Sequence, residues 1–187
     1  MNVIKYALLV VWLIHADVTR AEISDPVGDF VNLRSISASD NESLLVIRAD
    51  LNGDGVPEVL LSTEMDTNGR LGNIWMVYVS RGGKFLRSDR LITLDQDSLV
   101  VKRSKNKGLD RLFSVTSPQK GELHLTEYIL SKTDIVSKEI AKILLLENEG
   151  ADIMIRLLRD DNQTQHPVVK GKASELKENM SIPPKLR

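Results

Sequence analysis

Residues 50–58 read Asp-Leu-Asn-Gly-Asp-Gly-Val-Pro-Glu, and a short apolar run lies on each side of them. The runs at 43–49 and 59–63 are partly β-branched and lack the spacing of an amphipathic helix, so we expect two short strands. The polar segment between them contains two glycines and is too short for anything but a reversal of the chain. This part of the sequence therefore predicts a β-hairpin with a polar tip, which constrains the fold to antiparallel pairing here.

The side chains of this tip are those that bind a hard divalent cation. Calcium takes about six to eight oxygen ligands at about 2.3 to 2.6 Å, and short Asp and Asn side chains let one tight loop supply several of them. Gly55 lies where the chain turns sharply, a position that favours positive φ. We therefore expect Ca²⁺ as a cofactor, with a plain polar turn as the alternative. The predicted ligands are the side chains of Asp50, Asn52, Asp54 and Glu58 and the backbone carbonyl of Val56.

The loop is not an EF-hand, because the twelfth position is Leu61, which has no oxygen to offer a metal. It resembles instead the D-x-D/N-x-D-G-x-x-D/E loop of the FG-GAP or VCBS repeat, which connects two strands in the blades of integrin-type β-propellers. The resemblance covers about residues 44–85 and includes a strand at 72–79 followed by a glycine turn and Phe85. It implies that Asp50, Asn52, Asp54, Val56 and Glu58 bind calcium.

Turn signals recur about every ten residues between 60 and 130, a spacing typical of an antiparallel all-β domain. The strand around Trp75 is apolar on both faces, as expected of a central strand that is covered on each side. A propeller needs at least four blades of about forty residues, which this chain barely reaches. We therefore expect blade-like hairpins in a compact sandwich or a partial barrel or propeller, with a short C-terminal helix as an option. Further strands are expected at 90–94, 99–102, 112–116 and 123–130, and a turn at 26–29. Strands are also favoured at 135–146 and 152–158, with helices as the alternative, since Val136, Ile140, Ile143 and Leu144 would form one helical face.

The first residues have the pattern of a secretory signal peptide: one basic residue, a nine-residue apolar core and a small residue, Ala21, at the expected cleavage point. We expect a signal peptide at 1–21, one β-rich domain at 22–170 and a loosely ordered tail at 171–187. The chain has no cysteine, which excludes a lipid-anchored Cys and disulfide stapling. The protein is expected to be exported, either periplasmic or extracellular, and not integral to the membrane after cleavage.

The net charge of −1 gives little basis for nucleic-acid binding. No nucleophile or phosphate-loop motif occurs in the sequence, which gives little basis for catalysis. His124 and His166 lie in no metal or nucleophile motif, so no catalytic residue is expected. We expect a binding module for a partner protein or a cell-envelope glycan. The alternative is a polysaccharide hydrolase or its accessory domain, with Glu64, Asp66 and Asp89 as the acids to test. The basic segment 102–107 is a second possible contact for an anionic glycan.

Overall fold

The structure is a computed structural model, and it describes residues 21–36, 43–103, 109–116, 119, 121–131, 134–144, 164–165 and 168–179. Strands dominate and pair antiparallel throughout these residues, and no closed barrel is formed by them. No helix in these ranges is both long and apolar enough to cross a membrane. The strand predicted at 152–158, the signal peptide up to residue 20 and His166 lie outside the described residues.

Two antiparallel sheets make up the described part of the chain. The strands are β1 (Glu22–Ile23), β2 (Leu44–Ala49), β3 (Glu58–Thr63), β4 (Asn73–Arg81), β5 (Lys84–Arg87), β6 (Ile92–Leu94), β7 (Val100–Arg103), β8 (Asp110–Thr116), β9 (Glu122–Ser131), β10 (Asp134–Leu144), β11 (Thr164–Gln165) and β12 (Val168–Gly171). The first sheet has the order β1-β5-β4-β3-β2-β12, with β6 also paired to β4, and the second has the order β10-β9-β8-β7-β11. The all-β prediction is therefore confirmed.

The hairpin predicted from residues 43–63 forms at the centre of the first sheet. Ala49 of β2 pairs with Glu58 of β3, and the register continues to Leu44 opposite Thr63. Strand β4 lies beside β3 and is covered on both faces, as its apolar pattern predicts. Trp75, Val77 and Val79 point toward the second sheet, whereas Tyr78 points the other way. The hairpin is thus flanked by buried apolar side chains on both sides of its sheet.

The first core cluster fills the space between the two sheets. Leu45 and Ile47 of β2 and Trp75 of β4 meet Leu112 of β8 and Tyr128 of β9, all of them almost fully buried. These side chains alternate along their strands, so each strand contributes every second residue to this layer. The result is a sandwich, and burial of its apolar surface is the main favourable contribution to the stability of the domain.

The opposite face of the first sheet is covered by two helices, α1 (Pro26–Leu33) and α2 (Ala173–Asn179). The turn predicted at 26–29 is wrong, because the Asp25 carboxylate caps the helix through the backbone N–H of Gly28 and Pro26 occupies the first helical turn. Val27 and Phe30 are buried on the sheet beside Leu176 of α2. Residues 173–179, which the sequence assigns to a polar tail, therefore form the short C-terminal helix.

The connection into β4 depends on Gly72. Its backbone has φ 99° and ψ −156°, a region that is essentially restricted to glycine. A Cβ placed on it would lie 2.3 Å from the Cα of Asp95. This close approach lets β4 pair with β6 from its first residue, Asn73. The indole Nε1 of Trp75 donates a hydrogen bond to the carbonyl of Leu94 at 3.1 Å. Gly72 therefore fixes where the central strand begins.

Replacing Gly72 by alanine should destabilise the domain more than the same change at Gly82. Gly82 also has positive φ (60°) but a Cβ there would meet no atom within 4 Å. Gly82→Ala should cost about 1 to 2 kcal/mol from backbone strain alone, and Gly72→Ala about 1 to 3 kcal/mol more because of the clash. Urea unfolding of both variants measures the difference. Equal losses at the two positions would contradict the role given to Gly72.

The two buried tyrosines should resist ionisation at alkaline pH. Burial raises the pKa of Tyr128 to about 12, and burial together with the hydrogen bond to Asp29 raises the pKa of Tyr78 above its ordinary value of 10.0. Because the folded state holds these protons more tightly, stability contributed by the two phenols is complete below pH 10 and falls as the pH rises toward about 12. In protein without residues 1–21, phenolate absorbance of the folded state should be absent near pH 10, and unfolding in urea should restore ordinary titration. Native phenolate absorbance near pH 10 would contradict the burial of both rings.

Candidate metal site

The tip of the β2–β3 hairpin is shaped by the side chain of Asp50. Its two carboxylate oxygens accept hydrogen bonds from the backbone N–H groups of Gly53 at 2.8 Å and Gly55 at 2.9 Å. Both glycines have positive φ, 76° and 83°, which allows the backbone to curl around this carboxylate. Asn52, Gly53, Asp54 and Gly55 are exposed, whereas Glu58 is fully buried at the start of β3. The loop thus has an exposed tip and a buried carboxylate at its base.

Four oxygen-bearing groups meet at the hydroxyl of Ser80 on β4. Its Oγ lies 3.1 Å from Asp54 Oδ2, 3.0 Å from the carbonyl oxygen of Val56 and 3.0 Å from Glu58 Oε1. The amide Nδ2 of Asn52 lies 3.2 Å from the same hydroxyl, 3.1 Å from Asp54 Oδ2 and 2.8 Å from Glu58 Oε1. The fold therefore brings Asn52, Asp54, Val56 and Glu58 together around one point.

Glu58 is a buried carboxylate that takes part in none of the ion pairs in the described part of the chain. Burial raises its pKa, while hydrogen bonds from the backbone N–H of Leu51 and from Ser80 oppose this rise. The Leu51 bond to Oε2 is 2.6 Å long. Removing a charge from water without a partner of opposite charge is costly, so this carboxylate favours either a proton or a cation.

The three side-chain protons of Asn52 and Ser80 are shared among six close contacts. A side-chain amide has two N–H protons and a hydroxyl has one. The Asn52 nitrogen nevertheless faces three oxygens, and the Ser80 hydroxyl faces three acceptors. Rotation of the Asn52 amide by half a turn would add its oxygen to those of Asp54, Val56, Glu58 and Ser80, at the cost of the hydrogen bond that this oxygen accepts from the Asp54 N–H at 2.8 Å. A donor set made only of oxygens, two of them carboxylates, fits a hard cation such as Ca²⁺.

Asp50 also connects the loop to the second sheet. The backbone N–H of Asp50 donates to Asp110 Oδ2 at 3.0 Å, and the N–H of Asp110 donates to the carbonyl of Asp50 at 2.7 Å. Asp110 is the first residue of β8 and stands opposite Arg103 of β7. This pair of bonds holds the first residue of the loop against the β7–β8 hairpin. The loop therefore lies at a junction between the two sheets.

The five positions predicted from the sequence do not all behave alike. Asn52, Asp54, Val56 and Glu58 converge on Ser80, while the carboxylate of Asp50 is turned onto the amides of its own loop. In the parts of the chain that the structure describes, no three His, Cys, Asp or Glu side chains lie together as a group that could hold a metal ion. No sequence pattern points to Ser80, since it lies 22 residues after Glu58 and reaches it only through the pairing of β3 with β4.

The other candidates from the sequence lie in ordinary structural contacts. Glu64 forms an ion pair with Lys170, and Asp66 forms one with Arg34. His124 lies between Glu122 and Glu139 on the β9–β10 hairpin. Trp75 and Tyr78 of β4, aromatic residues that could stack on a sugar only if exposed, are fully buried. Asp89 is exposed, and residues 104–107 of the basic segment lie outside the described residues.

Comparisons of the chain with protein families, with curated proteins and with solved structures find no match. The loop between β2 and β3 is therefore interpreted from its own contacts. Its distinguishing features are the buried Glu58, the three oxygen acceptors around the Ser80 hydroxyl and the two hydrogen bonds between Asp50 and Asp110.

Proposed function

We propose that this chain is an exported, calcium-stabilised binding module whose ion is held at the tip of the β2–β3 hairpin. The observation that supports the proposal most strongly is the convergence of Asp54 and Glu58 carboxylate oxygens with the Val56 carbonyl and the Ser80 hydroxyl. The resemblance of residues 44–85 to an FG-GAP or VCBS repeat points to the same metal.

Bound calcium would supply the positive charge that the buried Glu58 carboxylate lacks. Asn52, Asp54, Val56 and Glu58 would hold it, and the Asp50 carboxylate would support the loop from the backbone amides that it already contacts. Asp110 would keep the first residue of the loop in place through its two bonds to the Asp50 backbone. Filling the site would therefore restrain the hairpin tip and its junction with β8 together.

A weak site is sufficient for this role in an exported protein. Calcium modules outside the cytoplasm function with a Kd of about 10⁻⁴ to 10⁻³ M. The chain has no disulfide to restrain its loops, since it has no cysteine. A metal that binds the folded state alone supplies comparable stabilisation by mass action. The signal-peptide pattern of residues 1–21 is the basis for proposing export to the periplasm or beyond the cell.

We propose binding of a partner protein or a cell-envelope glycan, and not catalysis, as the activity of the module. The tip residues Asn52 to Gly55 are exposed, so a partner can reach the loop that the ion would order. Two of the acids named for a hydrolase, Glu64 and Asp66, are each neutralised by a basic side chain.

Calcium should raise the melting temperature of protein lacking residues 1–21 above the values measured in EDTA and in magnesium. At a hundredfold excess over Kd the stabilisation is about 2.7 kcal/mol, which corresponds to a rise of about 5 to 10 °C for a domain of this size. Asp54→Asn keeps an oxygen for the Val56 N–H but removes a charge, so it should lose at least half of the calcium-dependent rise. Thermal melts followed by circular dichroism measure both effects.

Asp97→Asn is the matched control for that experiment. Asp97 is exposed and lies in the short 3-10 helix at Gln96–Ser98, outside the hairpin tip, so the same loss of charge should leave the calcium response intact. A melting temperature that does not respond to calcium in the unmodified sequence would reject the metal site. An equal loss in both variants would show that net charge, and not the loop, is responsible.

A further inference from the structure

We propose that Ser80 belongs to the ion site as a ligand from a neighbouring strand and sets its preference for calcium over magnesium. This inference rests on the proposed function, because it concerns the same site. Ser80 lies near the end of β4, is 4% exposed, and places its Oγ between 3.0 and 3.1 Å from three oxygens of the loop. None of the five positions in the loop pattern includes it.

Apart from the hydrogen bond that it donates to the buried Glu58, the surroundings of Ser80 give no packing reason for a hydroxyl. Residues 74–79, which precede it in β4, are all apolar, and its neighbour across the pairing with β5 is the buried Phe85. A hydroxyl that only closed a local hydrogen bond would need one acceptor, whereas this one faces a carboxylate on each of two residues and a carbonyl. Its oxygen is thus placed where the loop gathers other oxygens.

The position of Ser80 on a strand, outside the loop, bears on the selectivity of the site for calcium over magnesium. Calcium takes six to eight oxygens in a flexible arrangement, whereas magnesium demands a near-ideal octahedron and keeps several of its waters. The loop brings four of its five predicted positions together, so a neutral oxygen from β4 raises the set to five, nearer to the number that calcium prefers. The backbone of β4 is held by β3 and β5, which fixes this oxygen better than another loop residue would. Loss of the hydroxyl should therefore weaken calcium binding more than magnesium binding.

Isothermal titration of the unmodified protein and of Ser80→Ala with calcium chloride and with magnesium chloride tests the inference. The calcium Kd of Ser80→Ala should rise by about tenfold or more, and its magnesium Kd should change much less. Ser80→Cys is a second variant of nearly the same shape, in which a soft sulfur replaces the hard oxygen, and it should lose calcium affinity to a similar degree. This variant keeps the test valid if the alanine variant does not fold.

Ser62→Ala is the matched control, because Ser62 is a fully buried serine of β3 whose Oγ donates to the carbonyl of Ile74 at 2.7 Å, away from the loop. Its calcium affinity should equal that of the unmodified protein. Unchanged calcium affinity in both Ser80 variants would overturn the role of Ser80 and leave the metal site standing. Equal losses in the Ser62 and Ser80 variants would also overturn it. Absence of calcium binding in the unmodified protein would instead reject the proposed function.

Discussion

The burial of the Glu58 carboxylate at the base of a hairpin is the constraint around which the loop is organised. Glu58 is fully buried and is neutralised by no basic side chain in the described part of the chain, so its charge is stabilised only by hydrogen bonds from Leu51, Asn52 and Ser80. Such bonds offset part of the desolvation cost, and a raised pKa is the expected consequence. A cation at this position, as proposed for this site, would remove the remaining cost, as would protonation of Glu58.

The loop has an influence beyond its own hairpin because of where it is attached. Below it, β2 and β3 contribute Ile47 and Leu60 to the core between the sheets. At the first residue of the loop, Asp50 is hydrogen-bonded to Asp110 of β8. The loop is therefore attached to the second sheet by hydrogen bonds, in addition to the apolar contacts of the strands below it. Ordering the tip therefore restrains a junction of the two sheets. In a chain without cysteine, this would be a physical basis for a structural role of the proposed ion.

Local patterns in the sequence predicted the parts of this structure that depend on near neighbours. The apolar runs on either side of residues 50–58 predicted the hairpin, and the two apolar faces around Trp75 predicted a central strand. Helix α1 was missed because Pro and Gly at 26–28 also suit a turn, although Asp25 before Pro26 is a helix-start signal. Ser80 and Asp110 lie 22 and 60 residues from their partners in the loop, and such contacts depend on strand register that composition does not reveal.

The most direct test of the account is amide hydrogen exchange in the native state with EDTA and with saturating calcium. The N–H of Leu51 bonds to Glu58, and the N–H of Asp110 bonds to the Asp50 carbonyl, so both report on the loop and its junction. The account predicts that calcium slows exchange at these two amides much more than at the amides that pair β9 with β10 on the far side of the second sheet. Equal slowing everywhere, or none at Leu51 and Asp110, would contradict an ion that orders this loop.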